Sequence, residues 1–384
     1  MERLTASEWT SLIHGVFAPD PARDRGLAFL LDVPDDKVPD NPEWQARRRI
    51  VVDWAAELRA ARVSHGWDVV VVAVPNVGMN NADLPEGGFL WAGAEPPDHI
   101  RDLGEAESIP IQEAFGRWSM WIAPTEFSAT APLKLASRDR RDFRAATMPR
   151  FSAAMIPALR LPYDEIHQRV TALKALLDPA DGAEIDFVLD DGTTDRLYLD
   201  LRFRSAHASG GLVRENGQAG NLPSGESYIV PYEGEDRDHP SRSAGVMPVE
   251  LDGEIVRYGI QENRAVEVLT KGPVSQAEEE RLNAEPAYGN LAELGLGVLD
   301  AYGVQPAGEI LLDEKLGLHI AFGRSDHFGG ATGADDFSSP EAVVHIDRVY
   351  IKEMQPDIDV VSLVVEGPEG AREIMRDGCY RGVF

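Results

Sequence analysis

Apolar positions recur along this chain with two different periods. "LAFLLD" (27–32) is a nearly unbroken apolar run, as a strand buried on both sides requires. After the turn-rich "VPDDKVPD" comes "NPEWQARRRIVVDWAAELRAARVSHGW". There Asn41 predicts a cap, Pro42 suits the first helical position, and Trp44, Ile50, Val51, Trp54 and Leu58 fall near helical spacing. "DVVVVAVPNV" (68–77) is a second strand apolar on both faces. This β-α-β order predicts an α/β N-terminal domain with a doubly wound, mostly parallel sheet. No Gly-x-Gly-x-x-Gly follows the first strand, which argues against a dinucleotide cradle. "GRWSMWIAP" and "RAATMP" read as two further strand ends around a short helix in "ATAPLKLAS".

Near residue 150 the period changes. "LPYDEIHQRVTALKALLDP" predicts a helix with a proline stop. "EIDFVLDDGTTDRLYLDLRFR" alternates around an Asp-Gly turn and predicts a hairpin, and "PVELDGEIVRYGIQENRAVEVLT" repeats that logic. Ser275 with Glu278 has the spacing of a capping box opening a short helix. The remainder reads as strands, ending in "VVSLVVEG". The expected organisation is therefore an α/β domain over 1–150 and an α+β domain rich in antiparallel strands over 151–384. The segments "ASGGLVRENGQAG" and "YEGEDRDHPSRSAG" read as loops of the second domain.

Composition narrows the function classes. A net charge of −28 repels nucleic acid and anionic membranes, so neither is an expected partner. No apolar run approaches the length of a membrane helix, and "MERLTASEWTSLIHGVF" lacks the basic start of a secretory signal. Cys379 is the single cysteine, which fits a reducing cytoplasm and rules out a cysteine-rich zinc module.

The candidate chemistry lies in the second part. In "VVHIDRVY" strand alternation puts His345 and Asp347 on one face, and in "LGLHIAFG" it groups His319 with Gly317 and Ala321, leaving room beside the ring. Glu226, in "GNLPSGESYIVP", shares a face with Tyr228 and Val230. Glu293 lies in "GNLAELGLGVLD", a run free of other charge until Asp300. A carboxylate at such buried positions needs a partner or a cation. Glu314 lies five residues before His319, on the turn entering that strand. Two histidines with several carboxylates form a mixed N/O donor set suited to zinc, manganese, cobalt or iron, or to two metals sharing carboxylates.

"NLPSGE", "AELGLG", "DEKLGLHIAFG" and "VHIDRV", in that order, resemble the motifs of the thermophilic-aminopeptidase family (aminopeptidases T and S and relatives). "TEFSATAPLKLA", "RAATMP" and "YDEIHQRV" resemble that family's pattern more weakly, so the resemblance runs from about Ala123 to Val349. It implies a cytoplasmic homodimer acting on a small-molecule or peptide substrate with two divalent ions per chain, zinc, cobalt or manganese. Glu226, Glu293, His319, His345 and Asp347 would be the metal ligands. Glu314 would be the catalytic glutamate, taking the proton of a water that attacks an amide carbonyl and passing it to the leaving amine. The family pattern has an active-site tyrosine seven residues after the first metal-binding histidine. Asp326 stands there in this chain, with His327 beside it. Both are candidate catalytic residues in its place.

Two other readings stay open. Dihydroxypyridine ring-cleaving dioxygenases are similar to this family in fold and would use Fe(II) held by two histidines and one carboxylate. His319, His345 and Asp347 would supply that triad. The third reading is a non-catalytic metal or ligand binder, motivated by the absent tyrosine.

Overall fold

The computed structural model describes residues 3–24, 26–138, 140 and 142–384. They form two compact units that are not contiguous in sequence. The first runs to His167 and takes back Ser209–Ser224 and Ala307–Leu312; the second comprises Gln168–Ala208, Gly225–Pro306 and Asp313–Phe384. A single cut at residue 150 does not describe this division. The loop expected at 208–220 is a second departure: it belongs largely to the first unit, where Ala219–Asn221 adds a strand to the edge of the sheet.

The first unit is built on a seven-stranded mixed sheet in the order Ala219–Asn221, Arg144–Thr147, Met120–Ala123, Gly26–Val33, Asp68–Pro75, Gly87–Trp91, Glu107–Pro110. The first five strands run parallel and the last two add antiparallel. Every residue of Gly26–Val33 is buried, the reason its sequence is apolar on both faces. Asn41 caps the helix Pro42–Ala60 by accepting a hydrogen bond from the Trp44 backbone N–H at 2.7 Å, with Pro42 in the first turn. Trp44, Val51, Trp54 and Leu58 of that helix are buried.

The second unit holds two sheets. The larger has eight antiparallel strands, in the order Arg264–Val268, Glu254–Gln261, Ala244–Leu251, Thr194–Asp200, Gly182–Leu189, Ile358–Gly367, Gly370–Arg376, Cys379–Tyr380. Asp252 and Gly253 both take positive φ, 49° and 77°, in the two-residue turn that Asp-Gly favours. The capping box expected at Ser275 is replaced by another device. The helix Pro273–Ala284 begins three residues earlier than that box implies, because Pro273 suits its first turn. The Glu254 carboxylate, from a strand, accepts from the backbone N–H groups of Val274 and Ser275 and from the Ser275 hydroxyl. Glu278 accepts instead from the hydroxyls of Tyr258 and Tyr288, each at 2.6 Å. The smaller sheet has five strands, in the order His345–Val349, Leu318–Gly323, Leu291–Gly297, Glu226–Ile229, His207–Ser209. It carries the candidate site.

Candidate metal centre

Antiparallel register determines which side chains meet across the small sheet. Glu226 stands opposite Gly297, and Tyr228 opposite Gly295. Gly295 stands opposite His319, and Glu293 opposite Ala321. Ala321 stands opposite Asp347, and Gly323 opposite His345. One face therefore carries Glu226, Tyr228, Glu293, His319, His345 and Asp347, interleaved with positions that have little or no side chain. The other face is largely apolar at the two central strands, where Leu294, Leu296, Ile320 and Phe322 are fully buried.

The glycines make the room. A Cβ on Gly295 would lie 1.9 Å from His319 Nε2, so the imidazole occupies the space that glycine leaves. A Cβ on Gly297 would lie 2.3 Å from the Lys315 carbonyl carbon and 2.7 Å from the Glu314 carbonyl oxygen. The backbone at 314–315 thus crosses directly over Gly297, which delivers both side chains to the site.

The donor atoms fall into two groups whose members lie within 4.8 Å of one another: Glu226, Glu293 and His319, and Glu293, His345 and Asp347. Glu293 belongs to both. Its Oε1 is 3.3 Å from His319 Nε2 and its Oε2 is 3.4 Å from His345 Nε2. Each imidazole is oriented from behind by a backbone carbonyl: Arg324 O lies 2.8 Å from His345 Nδ1, and Gly317 O lies 3.3 Å from His319 Nδ1. Such anchoring turns Nε2 toward the carboxylates, the second-layer arrangement that metal-binding histidines use. Each group also contains a buried carboxylate oxygen without a hydrogen bond, Glu226 Oε2 and Asp347 Oδ1. Each lies 3.5 Å from an imidazole Nε2. Buried oxygens of this kind call for a cation. The donor set therefore fits divalent ions.

Lys315, absent from the sequence reading, is the cation the chain itself provides. Its side chain is 0% exposed, and its ammonium bonds Glu226 Oε1 at 2.5 Å and the Glu314 carboxylate. Glu226 thus has one oxygen on Lys315 and one toward His319. Burial opposes charge on His319, but Glu293, Asp347 and Glu226 outweigh it and raise its pKa to about 9. His345 is likewise raised despite burial, chiefly by Asp347. Burial also opposes ionisation of Glu293 and Asp347, yet the imidazoles hold both carboxyls below the usual range. Glu314 goes the other way: burial raises it to about 8, Lys315 working against the rise and Glu226 with it. Burial, then the Glu293 and Glu226 carboxylates, keep the Tyr228 hydroxyl protonated.

Asp326 and His327 lie beside this cluster rather than in it. The Asp326 carboxylate is paired with the Arg324 guanidinium, at 2.5 and 3.1 Å. His327 packs on Phe328, ring centroids 3.9 Å apart, with its centroid 5.4 Å from that of His345. Burial, then the His345 charge, push its pKa down to about 4, so it stands neutral. The loop carrying both is held by Glu233, which accepts from Ala331 N at 2.6 Å, Thr332 N at 3.0 Å and Asn290 Nδ2 at 2.7 Å, and from the Ser325 hydroxyl. Glu233 was not singled out from the sequence. The only signal was an acid four residues past the strand end at Ile229.

No family model matches the chain, and no curated protein matches it in sequence. Two solved structures share its fold along nearly its whole length. The 2,5-dihydroxypyridine dioxygenase from Pseudomonas putida KT2440 aligns at a TM-score of 0.60 with 13% identity, covering 99% of this chain and 98% of that one. Wild-type AmpT from Thermus thermophilus aligns at a TM-score of 0.53 with 14% identity, covering 98% of each. At these identities the likeness establishes a common fold. One neighbour is a dioxygenase and the other an aminopeptidase, so the fold is compatible with both chemistries and favours neither. Among the described residues, no helix is long and apolar enough to cross a membrane.

Proposed function

We propose that the chain is a metal-dependent hydrolase that cleaves the amide of an N-terminal amino acid or of a small amide substrate. The observation that carries this reading is Glu293. Its two oxygens face two different imidazoles, and each of the two resulting groups keeps one orphaned carboxylate oxygen. That is the donor pattern of a pair of divalent ions sharing one carboxylate, with zinc, cobalt or manganese the ions that suit it. Glu226, Glu293 and His319 would hold one, and Glu293, His345 and Asp347 the other. A bound pair supplies Lewis acidity, polarising a carbonyl and making water nucleophilic at neutral pH.

The chain's own residues do the rest. Glu314, half-buried beside Lys315, is the carboxylate that would accept a proton from water and return it to the leaving nitrogen. Lys315 holds the Glu314 carboxylate in place through its ammonium. His327, neutral at the border of the site, offers a hydrogen bond to the substrate rather than a charge. Asp326, tied to Arg324, orders the loop.

A second reading is mononuclear Fe(II) ring cleavage, supported by the dioxygenase fold neighbour. It would draw on His319, His345 and Asp347 as a triad. Two features of the centre support the hydrolase over it. The donor groups found join each histidine to Glu293 rather than the two histidines to each other, and Glu226 and Glu293 add carboxylates that such a triad does not use. Turnover on a panel of aminoacyl amides tests the reading. Hydrolysis that depends on added zinc, cobalt or manganese supports it. Oxygen uptake with a dihydroxylated aromatic ring and one iron per chain replaces it with the second reading.

A further inference from the structure

Tyr228 has no part in the donor set, yet it belongs to the same face. It lies two residues past Glu226 on one strand, directly opposite Gly295, which is itself opposite His319. Because the His319 imidazole fills the space over Gly295, phenol and imidazole share one cross-strand row. Phe328, which packs against this phenol, also packs against the His345 ring, centroids 5.5 Å apart, so the phenol stands beside the cluster on its own face of the sheet.

Its ring is clamped. His207 stacks on it with centroids 5.0 Å apart and planes 24° apart, and Phe328 meets it edge-on at 5.0 Å. A tyrosine has only two side-chain torsions, so this packing leaves the hydroxyl little freedom of direction. Yet the hydroxyl bonds to nothing among the described residues. Tyr228 is half-buried, and other tyrosines packed into this chain use their hydroxyls: Tyr163, Tyr350 and Tyr380 donate to the carbonyls of Ala158, Pro248 and Gly297, and Tyr258 and Tyr288 donate to Glu278. A phenylalanine would pack against His207 and Phe328 equally well. What it would lack is the unused donor.

We propose that Tyr228 is a catalytic residue whose hydroxyl donates a hydrogen bond to the substrate oxygen that gains negative charge. This rests on the hydrolase reading. As the water oxygen bonds to the amide carbon, the carbonyl π pair moves onto oxygen, and Glu314 takes the water's proton. Tyr228 keeps its own proton and stabilises the new oxyanion. A rigidly held donor at that position acts mainly in the transition state.

The test is Tyr228→Phe in the full chain, with metal content measured alongside. The first readout is the affinity of metal-loaded protein for inorganic phosphate, a tetrahedral oxyanion, by calorimetry. The variant should bind phosphate about 10-fold more weakly, the loss expected for one hydrogen bond to a charged oxygen. The second readout is amide turnover, where kcat should fall about 100-fold or more while KM moves little. Phosphate affinity equal to that of the wild type overturns the proposal, as does a wild type that binds no phosphate. A variant that loses its metals also overturns it, since the role of Tyr228 is then structural. The two readings fail separately. Weaker phosphate binding in the variant with no amide hydrolysis by the wild type sinks the hydrolase and leaves the oxyanion donor. Normal amide hydrolysis by the variant sinks the donor alone.

Discussion

The imidazole of His319 lies over Gly295, in the space where any other residue would place its Cβ, 1.9 Å from Nε2. The two residues are cross-strand partners, and both are buried. The relationship makes a glycine backbone position part of the candidate metal centre, although it offers no ligand atom.

Gly295→Ala should therefore damage the site more than the fold. The methyl group cannot be accommodated without moving His319, so metal should be lost from the Glu226–Glu293–His319 group. The cost in stability should be about 1–3 kcal/mol, as for overpacking in a tight interior. Elemental analysis and a thermal melt check both. An alanine variant with full metal content would show that His319 is not a ligand in the position found here.

Glu314→Gln should lower turnover about 100- to 10,000-fold, the range for loss of a general base, while metal content stays at the wild-type level. If metal is lost instead, Glu314 is a ligand and the base must be sought elsewhere.

The metal-free protein should lose stability as pH rises. His319 has a folded pKa of about 9 and Glu314 of about 8, both raised above their ordinary values. A raised pKa means that the folded state binds protons more tightly than the unfolded one, so the associated stability is fully present at low pH and is lost as pH climbs through the folded value. For His319 the window runs from about 6.5 to about 9. For Glu314 it runs from about 4.5 to about 8. Melts of chelator-treated protein between pH 6 and 9 should show a falling Tm, and added metal should flatten the fall by taking the place of the imidazole protons. A Tm that rises over this range contradicts the charge assignment.

Glu233→Ala should release the 325–332 loop without emptying the centre. It removes the acceptor for two backbone N–H groups and the Ser325 hydroxyl. The expected cost is about 1–3 kcal/mol for donors left unsatisfied. Increased proteolysis within 325–332 at unchanged metal content is the outcome to look for. Equal protease resistance in variant and wild type would show that the loop is held by other contacts.

Much of the face was legible because a strand has period two. His345 with Asp347, and Glu226 with Tyr228, could be grouped from their spacing alone. Glu293 stood out as a charge in an apolar run, and Gly317 and Ala321 marked space beside the His319 ring, whereas the room that Gly295 leaves across the strands had no local signal. What escaped came from outside the alternation. Lys315 reaches the site because its backbone crosses Gly297, a tertiary event that no local period records. Glu233 acts on a loop some 90 residues further along the chain. The return of 209–224 to the first unit was hidden for the same reason: "AGN" pairs with Arg144–Thr147, and a three-residue edge strand has no pattern of its own. At Ser275 the spacing of a capping box was present, but Pro273 and the Glu254 carboxylate took over the start of the helix.

The central claim is that Glu293 joins two cation sites. Metal content by elemental mass spectrometry, on protein purified without chelators and then titrated with zinc, cobalt and manganese in turn, tests it most directly. The account predicts about two equivalents per chain, falling to about one in His345→Ala, as a shared-carboxylate pair requires. A limit of one iron per chain, or full occupancy retained in His345→Ala, would contradict it.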